Sequence, residues 1–213
     1  MNAVYFAKVD RLDIEKIKVN LTPKRIDKIN RLKIDLDKKR SAGCELLLLH
    51  GLIVLNAYSK IEYIYKANGK PSLKNHPNIH FNYSHSDIYS GCVISTDEVG
   101  LDMERVRDYP LEKVEKLSLR VMNEKQQIDI LEDKNPKERF IQHWVVKESF
   151  SKLVGLGMSL PFKTINIDWT TYRVWIDEDK KATFNLKKEK NIYIGITSFT
   201  KKLFDFVSVD LVK

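Results

Sequence analysis

The segment from Asn135 to Gly157 carries its own start and stop signals. Asn135 suits an N-cap, Pro136 the first helical position and Glu138 the third position of a capping box, while Gly155 and Gly157 lie just past the other end. A helix is predicted between them. Ile141, Trp144 and Val145 form its apolar stripe, and Glu148 and Lys152 continue that stripe at four-residue steps from Trp144. Past Gly157 the period falls to two, and the runs 164–168, 172–176, 182–186, 193–198 and 204–209 read as strands. A helix first and a sheet afterwards makes this half α+β.

Immediately upstream, Val99-Gly100-Leu101-Asp102-Met103-Glu104 alternates as a strand does. Asp102 and Glu104 then share one face and Leu101 and Met103 the other. The preceding run Gly91 to Thr96 also reads as a strand, and the short turn Asp97-Glu98 predicts a hairpin between the two. Strand and helix together would bring three acids, Asp102, Glu104 and Glu148, to one metal ion. Each piece alone has an ordinary explanation. A D-x-E at a strand end is usually solvated, and Glu148 with Lys152 four residues on is a common surface pair worth roughly 0.3–0.5 kcal/mol.

The remainder of the chain bounds the partners. Thirty-seven Lys and Arg against 29 Asp and Glu give +8, which favours a phosphorylated cofactor, an acidic protein or nucleic acid. Thr22-Pro23 opens a helix carrying Lys24, Arg25, Lys28 and Arg31; a second, from about Asp37 to Ala57, starts with Lys38, Lys39 and Arg40. Cations at a helix start are locally unfavourable; a bound anion would answer them, but a simple solvated basic face is the more frequent cause. Ala3 to Val9 reads as a first strand, Asn68-Gly69-Lys70-Pro71 as a turn, and Ile79 to Tyr83 as a strand leading into Ser84-His85-Ser86-Asp87. Short helices follow near Leu111 to Val121 and Glu124 to Leu131, the latter with Asn123 as cap and Gln126 three residues on. Cys44 and Cys92 sit in apolar surroundings without metal spacing, and are expected to be reduced, buried thiols of a cytoplasmic protein. No signal-peptide pattern opens the chain and no apolar run reaches membrane-spanning length.

Phe81-Asn82-Tyr83-Ser84-His85, then Val99 to Glu104, then Trp144-Val145-Val146-Lys147-Glu148-Ser149-Phe150-Ser151-Lys152 through Gly157, in this order and spacing, resemble the phosphopantetheinyl transferases of the Sfp type. Gly69-Lys70-Pro71 and Arg40 with its helix match the same family, and the resemblance covers about residues 20 to 165. It implies an α+β fold of two similar halves, each a small antiparallel sheet packed with helices, here 1–100 and 101–213, with coenzyme A in the cleft between them. It also implies a cytoplasmic, monomeric, Mg²⁺-dependent enzyme that transfers the phosphopantetheine arm of coenzyme A to a serine of an acyl or peptidyl carrier protein. Nucleic acid and membrane have no part in that reading.

Carried over residue by residue, the resemblance makes Asp102, Glu104 and Glu148 the metal ligands. Lys152 and His85 become phosphate contacts, and Lys70, Ser84, Arg40 and, more loosely, Lys24 and Lys28 become further coenzyme A contacts. The first half thus holds the phosphate and adenine side, the second half the carboxylates. Glu148 leads as general base, acting through Lys152 or a water, with Glu124 second. Leu101, Met103 and Ser149 depart from the family's usual residues without removing a functional group. The rival is a Mg²⁺-dependent phosphodiester hydrolase or nuclease, which explains the acids and the charge but not Gly69-Lys70-Pro71 or Ser84-His85. A non-catalytic nucleic-acid binder explains the charge alone.

Overall fold

A computed structural model describes residues 2–58, 60–177 and 180–212. In chain order the strands and α-helices are β1 (Ala3–Lys8), α1 (Ile14–Ile17), α2 (Pro23–Arg31), α3 (Asp35–Val54), β2 (Tyr63–Tyr65), β3 (Pro71–Leu73), β4 (His80–Ser86) and β5 (Tyr89–Ser95). There follow β6 (Val99–Arg105), α4 (Leu111–Val121), α5 (Glu124–Leu131), α6 (Pro136–Val154), β7 (Asn166–Asp168), β8 (Arg173–Trp175), β9 (Lys181–Glu189), β10 (Ile192–Ser198) and β11 (Asp205–Ser208). The fold is α+β, with two compact units: Met1–Val99 with Leu203–Lys213, and Gly100–Lys202. Among the described residues no helix is long and apolar enough to cross a membrane.

The first unit is built on the sheet β11-β1-β5-β4. β1 runs antiparallel to β5 and parallel to β11, and β4 and β5 form a hairpin through Asp87, whose φ of 52° makes the turn. α3 lies on this sheet, with Leu47, Leu48 and Leu52 packed against Tyr5, Phe81 and Ile94. Thr22 caps α2, its hydroxyl accepting from the Arg25 N–H at 3.2 Å, with Pro23 at the first position. α3 starts two residues before the predicted Asp37, so Asp35 and Asp37 occupy its first turn, where acids suit the helix dipole. Lys39 and Arg40 therefore fall one turn in, pairing with Asp35 at 2.8 Å and Asp37 at 2.7 Å. That arrangement removes the need for an anion at the helix start.

The second unit is built on the sheet β6-β10-β9-β8-β7, with antiparallel pairing from β10 through β7. The predicted hairpin between the runs around Asp97-Glu98 does not form. β5 finds its partners in the first sheet and β6 pairs with β10 in the second, so the turn joins two sheets instead of two neighbours. α6 ends as its glycines foretell: Gly155 adopts φ 76°, and its N–H bonds the Ser151 carbonyl at 3.0 Å. At the other end the capping box is half made. Asn135 Oδ1 accepts from the Glu138 N–H at 3.4 Å, but the Asn135 N–H donates to Asp133 at 2.7 Å. The Glu138 carboxylate accepts instead from the Asn135 side-chain amide at 3.0 Å and, through its other oxygen, from Tyr193 and Lys188. On α5 the box closes in both directions, Asn123 to the Gln126 N–H at 3.0 Å and Gln126 to the Asn123 N–H at 3.2 Å.

Candidate active site

β6 places the acids. Leu101 and Met103 are buried in the core, Asp102 is buried on the opposite face, and Glu104 beside it is half-buried. α6 lies directly on this strand because Gly100 has no side chain: a Cβ there would stand 1.9 Å from the Ser149 carbonyl oxygen and 2.6 Å from the Leu153 nitrogen. That close approach brings Glu148 and Lys152, one turn apart, toward the Asp102 face. The Lys152 ammonium donates to Asp102 Oδ1 at 2.7 Å.

Glu148 registers the crowding. Burial, then the Asp102 charge, and more weakly Glu104, push its carboxyl up to about 7 against the pull of Lys152. The four side chains expected to meet thus form one electrostatic cluster in the second unit. As they stand, among the described residues, no group of three His, Cys, Asp or Glu is spaced to hold a metal ion. The positive charge in the cluster is the Lys152 ammonium.

Next to Glu148 on the helix, Lys147 had drawn no role from its sequence context. It is fully buried, and its amine donates to the Val121 carbonyl at 3.0 Å and the Phe162 carbonyl at 2.7 Å. Burial pushes it down to about 7. Lys147 joins the last residue of α4 to the 3-10 turn Phe162–Thr164, a clasp of neutral acceptors rather than an ion pair. The one sequence signal for it is its place among buried helix positions. Glu124, the second base candidate, stands exposed in the first turn of α5. The charges acting on Glu148 are those of Asp102, Lys152 and Glu104.

In the first unit the expected contacts divide. Lys24 and Lys28 border one cavity of about 870 Å³, together with Arg31, Tyr63, Tyr65 and Tyr83. Lys24 lies over the Tyr65 ring at 3.6 Å from its centroid. Lys70 donates to Glu98 Oε2 at 2.9 Å and to the Val99 carbonyl at 3.0 Å. Burial would raise Glu98, but Lys66 and Lys70 outweigh it and hold that carboxylate at about 2. Arg40 is engaged by Asp37 and by the Asp87 carbonyl at 2.5 Å. Ser84 and His85 do not converge: as neighbours on β4 they take opposite faces, Ser84 buried and His85 exposed. Sequence reading missed Glu45, a fully buried carboxylate on α3 that borders the same cavity. A lone acid between Cys44 and the run Leu46 to Leu49 was the available signal.

Residues 98–197 match the family model described as the 4'-phosphopantetheinyl transferase superfamily. Among named proteins, the chain is 29% identical over 171 residues to the 4'-phosphopantetheinyl transferase gsp of Aneurinibacillus migulanus, covering 79% of this chain and 66% of that one. It is 32% identical over 111 residues to the 4'-phosphopantetheinyl transferase Sfp of Bacillus subtilis (strain 168), covering 51% of this chain and 48% of that one. The chain therefore spans between about half and just under two thirds of the length of these relatives. A solved structure similar to part of it is the holo-[acyl-carrier-protein] synthase of Thermotoga maritima, at 20% identity and a TM-score of 0.41, covering 49% of this chain and 64% of that one.

Proposed function

We propose that this chain, whose residues 98–197 match the model of the 4'-phosphopantetheinyl transferase superfamily, is a member of that superfamily and moves the 4'-phosphopantetheine arm of coenzyme A onto a serine of an acyl or peptidyl carrier protein, converting apo to holo carrier. The observation that carries this reading is the convergence of Asp102, Glu104, Glu148 and Lys152 inside the matched segment, expressed in the carboxyl of Glu148 held at about 7. In this reading the protein is a cytoplasmic monomer. The rival phosphodiester hydrolase has no support among the relatives above, which are named as transferases.

The donor set suits Mg²⁺. The Asp102 and Glu104 charges act against that of Glu148 across β6 and α6, and a small divalent cation held there would relieve that repulsion. Asp102, Glu104 and Glu148 would hold it, and bound there it would neutralise the pyrophosphate of coenzyme A and polarise the phosphorus under attack. Lys152, already directed at this cluster, would steady the phosphate charge with its ammonium. Glu148 leads as general base for the serine proton, acting through Lys152 or a water, since its raised basicity belongs to the metal-free site and a cation held by its carboxylate would lower it. Glu124, exposed to an incoming carrier, is the second base. In the first unit, Lys24 and Lys28 answer the phosphate and adenine end of coenzyme A, with Lys70, Arg40, Ser84 and His85 as the further contacts.

Incubating an apo carrier protein with this protein, coenzyme A and Mg²⁺ should add one phosphopantetheine arm to the carrier's intact mass, and a chelator should prevent the gain. No gain across several carriers, from a protein that also fails to bind coenzyme A, would reject the reading. Lys152→Ala should lower kcat/KM for coenzyme A by roughly tenfold or more, as expected for removing one charge-assisted phosphate contact. Unchanged kinetics would reduce Lys152 to a partner of Asp102.

A further inference from the structure

Glu45 lies within α3, fully buried beside Leu46, Leu47 and Leu48. Its carboxylate accepts from the Thr22 N–H at 2.6 Å, the Thr22 hydroxyl at 3.2 Å, Arg25 Nε at 3.1 Å and the Tyr63 hydroxyl at 2.8 Å. A carboxylate can only accept, so the Tyr63 proton is committed to it. In the 2.9 Å contact between the Tyr63 and Tyr83 hydroxyls, Tyr83 is therefore the donor. Arg25 is fixed further by Nη1 to the Ser41 hydroxyl at 3.1 Å, with its guanidinium 5.3 Å from the centre of the Tyr83 ring.

This network is one wall of the cavity that Lys24, Lys28 and Arg31 also border. Two effects follow from it. Glu45 matches the Arg25 charge, so the cations left to answer an anion in the cavity are Lys24, Lys28 and Arg31. By holding both the cap residue of α2 and Arg25, Glu45 also fixes α2 against α3, and with it the distance from those cations to the tyrosine faces. The hydroxyl chain sets the Tyr63 and Tyr83 rings in the same way.

We propose that Glu45, with Tyr63, is a positioning pair: it does not touch the reacting atoms but pre-sets the cationic and aromatic sides of this cavity for the phosphorylated, aromatic end of the substrate. The inference rests on the coenzyme A reading above. A pre-set cavity binds more tightly because less ordering remains to be done on binding.

The test uses the full chain with Mg²⁺, apo carrier protein and coenzyme A as the probe, with Kd measured by calorimetry and KM and kcat by steady-state kinetics. Glu45→Gln keeps the shape but cannot accept from all its donors, and Tyr63→Phe removes a single hydroxyl. Both should raise Kd and KM for coenzyme A by about tenfold, the order of one well-placed hydrogen bond to a charge, with kcat held within about twofold. Removing one partner of a buried ion pair can unfold a protein. Should Glu45→Gln do so, Tyr63→Phe decides. Wild-type Kd and KM in the variants, or a loss confined to kcat, overturns the positioning role. A wild-type protein that binds no coenzyme A overturns the functional reading and this inference together.

Discussion

Glu148→Gln should abolish transfer while making the metal-free protein more stable above neutral pH. The ordinary value of this carboxyl is 4.5 and the fold holds it at about 7, because burial and the charges of Asp102 and Glu104 outweigh Lys152. A group with a raised folded pKa favours the fold when protonated, so its cost is absent below pH 4.5, grows as the pH rises to about 7 and is full beyond. The 2.5-unit difference between 7 and 4.5 sets an upper limit of about 3 kcal/mol, and for a half-solvated side chain about 1–2 kcal/mol is expected. Denaturant titrations in chelator should show the glutamine variant level with wild type at pH 4 and ahead of it at pH 8. Adding Mg²⁺ should then stabilise wild type more than the variant. Turnover should fall by at least about a hundredfold, as for removal of a general base. A variant weakened equally at both pH values would mean that the carboxylate feels no such field.

Gly100→Ala should cost the second unit about 3 kcal/mol or more, since overpacking here has no rotamer to relieve it. The atoms that the new Cβ would strike, the Ser149 oxygen at 1.9 Å and the Leu153 nitrogen at 2.6 Å, belong to the backbone of α6. Strand and helix must part, and Asp102 and Lys152 ride on opposite sides of that seam. A lowered denaturation midpoint is therefore expected together with lost transfer. Wild-type stability in this variant would show that β6 and α6 tolerate a wider spacing than the one seen.

These two residues also mark how far the chain can be read without coordinates. Asp102 and Glu104 on one strand face, and Glu148 and Lys152 on one helix stripe, follow from periods of 2 and 3.6, which are local properties. The helices at Glu124–Leu131 and Pro136–Val154 are legible for the same reason, through their caps Asn123 and Asn135. Partner choice is not local. Nothing in Gly91 to Glu104 states that β5 and β6 belong to different sheets, and the short turn between them suited a hairpin equally well. Lys38, Lys39 and Arg40 misled because two acids just upstream set the true start of α3. Lys147 and Glu45 stayed hidden because their meaning lies in acceptors and donors 15 to 26 residues away, from Phe162 and Val121 to Thr22 and Tyr63.

β1 takes β5 on one side and β11 on the other, in the register Ala3 with Asp205 through Phe6 with Ser208. Between those two partners in the chain stands the whole second unit, Gly100–Lys202. β11 follows the inserted unit in the chain, so the first sheet lacks its outer strand until Asp205–Ser208 has been made. Until then, Ala3-Val4-Tyr5-Phe6 presents an unpaired edge on the nascent chain. An open strand edge is a template for pairing with another chain, so β11 guards the first sheet against aggregation as well as completing it.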